Sequence, residues 1–484
     1  MKPGQPPDPP LARQAGHSAR WAVMQSGGKH FVDLAVFLLL AKLIAPADFG
    51  LVAMANTWMV LLVVLTELGL GEAIVQRQQL DEAHTHTAFW LGIGLALGLA
   101  LLLVLAAPWA AQIYGQPELT PVLRTLAPLC LLQAATVVPQ ALLQREFGFR
   151  ALALRTLAGS VVGGLVGLSL AWHGAGAWSL IAQQLSAAVI GQIGLWWSSS
   201  WRPRWRFSPE HARELLAFGR SVLGAKLLNV LASKADDFFV GLVLGPVALG
   251  FYSVACRMLL ALEQLFCHGV DAVALSAFSR VAQQPEVLRR LFLGAVRLAA
   301  WLGFPVFCGL SLLAPELVQT VLGPAWLPSA PLLAVLLLAG LLQALMHFNH
   351  AVFKACDQPQ LSMRLALGST AFNLLTLVVV VRWGAWAVAV SYFVRSALMA
   401  PFGLAMALRL MALPLRHYLA CLLWPALSCG LAAVAVLLLR RQMQLLGEPA
   451  WAVLAACAAL GLALYALAWW GLGRQNLKTP SDAA

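Results

Sequence analysis

Ala45-Pro46-Ala47-Asp48-Phe49-Gly50-Leu51-Val52-Ala53-Met54-Ala55 returns in outline 200 positions later as Gly245-Pro246-Val247-Ala248-Leu249-Gly250-Phe251-Tyr252-Ser253-Val254-Ala255. Proline, glycine and the closing alanine keep their places, and long apolar stretches flank both copies. A helix-turn-helix unit repeated inside hydrophobic sequence predicts a membrane protein of two lobes, and two lobes around a cleft point to transport. Two further pairs follow in the same order. Ala107-Pro108 recurs as Ala314-Pro315, and Gly176-Ala177-Trp178 as Gly384-Ala385-Trp386, at offsets of 207 and 208. Six spans, an even number, separate the members of each pair. The repeat is therefore parallel, with a pseudo-twofold axis along the membrane normal.

Composition agrees. Of 484 residues, 61% are hydrophobic and only 11% charged, against about 25% charged in an ordinary soluble domain. Most of the surface must face something other than water. Apolar stretches of about 20 residues, each long enough to cross about 30 Å of hydrocarbon as a helix, recur along nearly the whole chain. The predicted fold is all-α: a polytopic membrane protein of about 14 transmembrane helices, two parallel six-helix repeats forming a V-shaped central cleft, plus two C-terminal helices. The expected organisation is a tail at 1–20, a lobe at 21–197, a basic inter-lobe loop at 198–213, a second lobe at 214–409, two additional helices at 410–472 and a tail at 473–484. The second span is placed at 51–75, and the seventh and eighth at 214–235 and 238–262, parted by Lys234, Asp236 and Asp237.

Positive charge sets the orientation. The tails and the connections sharing their compartment hold 18 Lys and Arg residues, and the opposite connections hold four: Lys42, Arg382, Arg440 and Arg441. Both termini are thus expected in the cytoplasm, with Arg440 and Arg441 as local dissent. The net charge of +12 comes with no recognition motif for nucleic acid, so it is assigned to cytoplasmic loops and anionic membrane lipids. The eight cysteines form no CxxC pair and read as packing residues. His84 and His86, beside Asp81 and Glu82, read as a solvated polar turn rather than a metal site. Gly159, Gly163 and Gly167, and likewise Gly94 and Gly98, predict close helix packing. Trp196, Trp197, Trp201 and Trp205 read as an interfacial anchor around the basic loop.

Polar residues inside apolar spans mark the candidate site. Gln25, Ser26, Lys29 and Asp33 share about a third of the first helix's circumference, and Lys226, Asn229, Ser233, Asp236 and Asp237 share a similar arc of the seventh. The offset of 200 aligns 26 with 226, 29 with 229 and 33 with 233. A charge facing lipid costs about 2.5–3.5 kcal/mol on insertion scales, so such stripes survive best against a cavity or a partner. Lys29 and Asp33 stand four apart and fit either a structural ion pair or a cavity role. Lys226 has no acid one turn away and fits a cavity role. Arg257 and Glu263 divide evenly between packing and cavity roles. Glu67 and Glu72 pair, snorkel or take a coupling proton. Arg220, Arg364 and Arg395 read as interfacial. Several cations in a semi-closed cavity favour an anion, and phosphate oxygens take charge-assisted bonds from Lys and Arg. Gln183, Gln184, Ser186 and Gln192 suit hydroxyl-rich cargo or helix-helix hydrogen bonding. No loop ends in Gly-Lys-Ser/Thr, which argues against ATP hydrolysis by this chain.

The run from Leu40 to Ala55 resembles the opening signature of the bacterial lipopolysaccharide and exopolysaccharide exporters, in particular the colanic-acid-exporter branch. Glu67-Leu68-Gly69-Leu70, Ala73-Ile74-Val75-Gln76-Arg77, Gly174-Ala175-Gly176-Ala177-Trp178-Ser179-Leu180 and Gly250-Phe251-Tyr252-Ser253-Val254-Ala255 extend the likeness, which covers about 18–410. The chain departs from the family pattern at Lys42, where Arg is common, and at Ser276, where Pro is common. The resemblance implies the multidrug/oligosaccharidyl-lipid/polysaccharide exporter superfamily and a flippase of the bacterial inner membrane, not an enzyme. Its cargo would be an undecaprenyl-diphosphate-linked glycan, moved by alternating access towards the periplasmic leaflet. Partners would include polysaccharide polymerase machinery, and coupling would use protons or sodium. On this reading Lys29, Lys226, Arg257, Asn229 and Ser26 bind substrate. Asp33, Glu67, Glu72, Asp236 and Asp237 serve coupling or structural pairing. A multidrug or other amphiphile exporter of the same superfamily is the alternative.

Overall fold

The computed structural model describes residues 27–77 and 80–473, apart from the side chains at 221, 225, 265–276, 472 and 473. Every regular element among them is helical. In chain order these are α1 (27–43), α2 (Pro46–Glu67), α3 (Leu70–Gln76), α4 (Glu82–Tyr114), α5 (Leu119–Leu126), α6 (Pro128–Arg145), α7 (Phe149–Trp172), α8 (Ala177–Ser198) and α9 (Pro209–Val281). There follow α10 (Pro285–Gly303), α11 (Gly309–Leu312), α12 (Ala314–Val321), α13 (Ala330–Ala355), α14 (Pro359–Val380), α15 (Ala385–Leu410), α16 (Leu415–Leu445) and α17 (Ala450–Ala468). Eleven helices among the described residues are long and apolar enough to cross a membrane. The packing matches that solvent. On α4, Ala96, Ala100 and Ala107 are buried while Leu101, Leu105 and Trp109 are exposed. Small residues face inward so that backbones approach closely, and the large apolar ones are left to lipid.

The chain separates into two compact units, Met1–Gly250 and Phe251–Ala484. In the first, the repeated motif explains itself. Pro46 opens α2, where a missing N–H costs nothing, and Gly245 (φ 81°, ψ −177°) breaks α9 immediately before Pro246. Both copies thus start a helix at the proline. They also pack reciprocally. A Cβ built on Gly50 would fall 1.7 Å from the Pro246 carbonyl oxygen, and one on Gly250 would fall 2.0 Å from that of Pro46. Only glycine fits either place. Contact of i with j′ and of j with i′ is the mark of a twofold relation.

The structure moves the break expected near 236–237. Helix geometry runs unbroken through Lys234, Asp236 and Asp237 to Gly245, because Lys234 Nζ bonds Asp237 Oδ2 at 2.7 Å and Asp236 is buried. The expected second span instead divides in two, since Leu68 (φ 43°) and Gly69 (φ 67°) are both left-handed and part α2 from α3.

Gly159, Gly163 and Gly167 do place α7 on the backbone of α8: added Cβ atoms would lie 2.8 Å from the Ala187 oxygen, 2.8 Å from that of Gln183 and 3.2 Å from that of Ser179. Gly94 and Gly98 do not follow them. A Cβ on either would meet nothing within 4 Å.

In the second unit, a π-helical turn at Phe304–Cys308 accommodates Pro305 between α10 and α11. Arg440 on α16 loses its status as a loop charge. Its Nε bonds Glu316 Oε1 on α12 at 2.7 Å and its Nη1 bonds the Leu312 carbonyl at 3.1 Å, while Gln444 Nε2 reaches the same carboxylate at 2.8 Å. Glu316 is 5% exposed, so the arginine answers a buried acid and contributes little to the side-to-side charge balance.

Candidate functional site

The α2/α3 break builds the site. Two successive left-handed residues turn the chain so that Glu67, last in α2, and Glu72, in the first turn of α3, present carboxylates together. The first part of α9 lies on this break through one face, Gly219, Val222 and Lys226, spaced three and four apart. A Cβ on Gly219 would fall 2.1 Å from the Leu68 carbonyl oxygen, and one on Gly69 would fall 2.9 Å from Val222 Cβ. One turn further along, Lys226 Nζ lies 2.8 Å from Glu67 Oε2 and 2.8 Å from Glu72 Oε1. The ammonium therefore has two acidic partners, neither on its own helix. The cluster carries a net charge of minus one when all three groups are ionised.

A cavity of about 300 Å³ opens beside it, lined by both glutamates and by Gln133, Thr136, Gln140 and Gln144 of α6. Those four recur at helical spacing and share one face. Arg155 on α7 donates to Gln140 Oε1 at 2.5 Å, and Thr136 Oγ1 donates to Gln192 Oε1 on α8 at 2.6 Å. The wall is thus amide and hydroxyl groups cross-linked to neighbouring helices, suited to hydroxyl-rich ligands. Arg155 and the α6 glutamines were missed in the sequence reading. Their spacing along α6 was the available signal.

The other expected residues distribute unevenly. Lys29 and Asp33 pair on α1 at 2.7 Å, with side chains 43% and 30% exposed. Asn229 is exposed on α9, three residues beyond Lys226. Asp237 is bound to Lys234, and Asp236 is buried on the same helix. Arg257 lies on α9 in the second unit with an exposed side chain, whereas Glu263, six residues on, has a buried Oε1 without a hydrogen bond. Ser26 lies outside the described residues. Arg395 is not at a helix end: it sits mid-α15 with its guanidinium 4.5 Å from the Tyr392 ring centroid, and Tyr392 accepts from Gln343 at 2.9 Å.

The solvated turn expected at His84 and His86 is also corrected. The two side chains are 7% and 2% exposed, because the loop 199–208 folds over the start of α4. Backbone N–H groups of Arg204 and Ser208 donate to His86 Nδ1 at 3.2 Å and Thr87 Oγ1 at 3.1 Å. Trp205 stacks on Trp90 at 3.9 Å, and Trp201 packs against His86 and Phe89. The loop's aromatic residues serve this protein contact, although Trp197 and Trp205 each remain 87% exposed.

A polytopic helical fold that holds an ion-paired lysine beside a polar cavity has the build of a membrane carrier. The family model described as polysaccharide biosynthesis protein matches residues 39–331, and the chain belongs to that family. It is 27% identical over 328 residues to the succinoglycan biosynthesis transport protein ExoT of Rhizobium meliloti (strain 1021), covering 68% of this chain and 66%, just under two thirds, of ExoT. Among solved structures, lipid II flippase MurJ in an inward closed conformation aligns with a TM-score of 0.77 at 12% identity, over 95% of this chain and 100% of that one. An inward-facing multidrug resistance MATE family transporter of the MOP superfamily aligns with a TM-score of 0.59 at 16% identity, over 79% and 95%. At these identities the two structural likenesses concern the fold.

Proposed function

We propose that this chain is a flippase of the bacterial inner membrane that carries a polyprenyl-diphosphate-linked oligosaccharide to the periplasmic leaflet for surface polysaccharide synthesis. The observation that carries this reading is Lys226, bracketed by Glu67 and Glu72 at the edge of a glutamine-lined cavity. A diphosphate diester matches the two carboxylates in charge and in terminal acceptor oxygens, so it can take their place at the ammonium. The sugars occupy the amide-lined cavity, and the polyprenyl chain stays in lipid. Family membership and the transport role in ExoT's name support the cargo class.

The mechanism follows from the exchange. Diphosphate draws Lys226 off the glutamates, which leaves two like charges facing each other. Uptake of a proton or sodium ion relieves them and couples cargo to an ion gradient. No covalent bond is made or broken. On this reading the chain has about fourteen spans in two parallel six-helix repeats plus two helices, with both termini cytoplasmic. The charged end of the α2–α9 contact then faces the cytoplasm, and the Gly50/Gly250 seam closes the outer side. Access alternates as the two ends open in turn.

Flipping of a defined lipid-diphosphate oligosaccharide in proteoliposomes tests the assignment. Lys226→Ala at matched reconstitution is expected to lower the rate by about tenfold or more, the worth of one charge-assisted hydrogen bond. An unchanged rate overturns it. The fold likeness to a multidrug transporter supports a second reading, export of amphiphilic drugs. Transport of a cationic drug with no transport of lipid-linked sugar would select it.

A further inference from the structure

The starts of α4 and α9 meet at a second polar cluster that the flippase reading does not use. One ring nitrogen each of His84 and His211 and one carboxylate oxygen of Asp81 lie within 4.8 Å of one another. The two rings stand edge to face with centroids 3.8 Å apart. Nδ1 of His84 and Nδ1 of His211 are both buried without a hydrogen-bond partner. Unmet nitrogens on two touching rings are costly unless a ligand satisfies them. The other side of His84 is occupied. Its Nε2 accepts from Arg77 Nη1 at 2.5 Å and lies 3.6 Å from Glu214 Oε2, to which Arg77 Nη2 also donates at 2.7 Å.

We propose that Asp81, His84 and His211 form a site for a first-row divalent cation of the zinc type. Two imidazoles and one carboxylate suit such an ion, leaving one tetrahedral position for water, whereas magnesium and calcium prefer all-oxygen sets. Metal–ligand distances of about 2.0–2.2 Å put tetrahedral ligand atoms about 3.3–3.6 Å apart, so loading draws the three side chains inward by rotation. The protons balance. With Nε2 accepting from Arg77, the neutral His84 ring carries its proton on Nδ1. Binding at Nδ1 shifts that proton to Nε2, where Glu214 accepts it, and Arg77 gives up the ring but keeps its bond to Glu214. The result is a carboxylate–histidine–metal relay, which fixes the tautomer and strengthens the ligand. Asp81 and Glu214 together outweigh Arg77, so the incoming cation meets a net negative charge.

Such an ion would tie α4 to α9 at the point where the loop 199–208 is clamped by His86 and Thr87, and would hold that loop in place. The test uses the full chain in detergent, purified without a polyhistidine tag, stripped with chelator and titrated with Zn²⁺ alone. One bound Zn²⁺ per chain is expected, with Co²⁺ giving the visible bands of a tetrahedral site. His84→Asn and His211→Asn should each weaken binding by about 100-fold, and Glu214→Gln by about tenfold. His86→Ala should leave affinity as in the parent. Thermal unfolding should rise on zinc addition in the parent and not in the His211→Asn variant. If buried His84 does not tolerate substitution, the half-buried His211 and exposed Asp81, changed to Asn, decide the matter. A parent chain that takes up no zinc, or ligand variants that bind it as the parent does, would overturn the site.

Discussion

The two ends of the α2–α9 contact are built by opposite means. At Gly50 and Gly250 the backbones touch because side chains are missing, each glycine covering the other motif's proline carbonyl. At Lys226 the helices are joined by side chains that reach across, one ammonium to two carboxylates beside a polar cavity. A seam made of backbone contact offers no charged group that a ligand can replace. A seam made of charge can be taken over by a ligand carrying the same charge. The comparison therefore assigns geometry to one end and exchange to the other.

Substitution separates these roles, and the largest effect belongs to the glycine end. Gly50→Ala or Gly250→Ala forces a methyl against a carbonyl oxygen and should cost about 3 kcal/mol, read as a lowered unfolding midpoint in detergent. A midpoint equal to the parent's would mean that the close approach is not obligatory. Lys226→Ala comes next. Removing one partner from an ion cluster costs several kcal/mol when fully buried, but these side chains are between a quarter and a half exposed, so about 1–2 kcal/mol is expected. Converting Glu67 and Glu72 to Gln in the same chain should recover most of that stability while leaving flipping at its lowered rate. Recovery of flipping as well would remove Lys226 from substrate binding. Lys29→Ala should change stability least, by about 0.5 kcal/mol or less, because an exposed pair four residues apart contributes little. A loss as large as that of Lys226→Ala, measured in the same denaturation series, would show that the first-helix pair is more than local.

The contrast between Lys29 and Lys226 also marks how far sequence reading reached. Patterns carried by near neighbours were legible: the Gly159/Gly163/Gly167 face and the Lys29–Asp33 pair four positions apart. Partners distant along the chain were not. Lys226 looked unopposed because its acids stand on α2 and α3, and Arg440 looked like a stray charge because Glu316 is 124 positions away. His84 looked solvated because the loop that covers it, and the ring of His211 against it, arrive from beyond four intervening helices, α5 to α8. Gly94 and Gly98 show the converse limit. Small-residue spacing permits close packing, but a neighbour must be present to use it. Asp236 and Asp237 were mistaken for a helix break because charge was weighed above the motif repeat, which had already placed the break at Gly245.

The Glu316–Arg440 bridge bears on what α16 does for the rest of its unit. A shortened chain ending after α15 would strip a carboxylate and the Leu312 carbonyl of their shared donor. A chain cut there could not carry that glutamate unanswered. α12 therefore depends on α16, and any minimal version must change Glu316 together with the truncation.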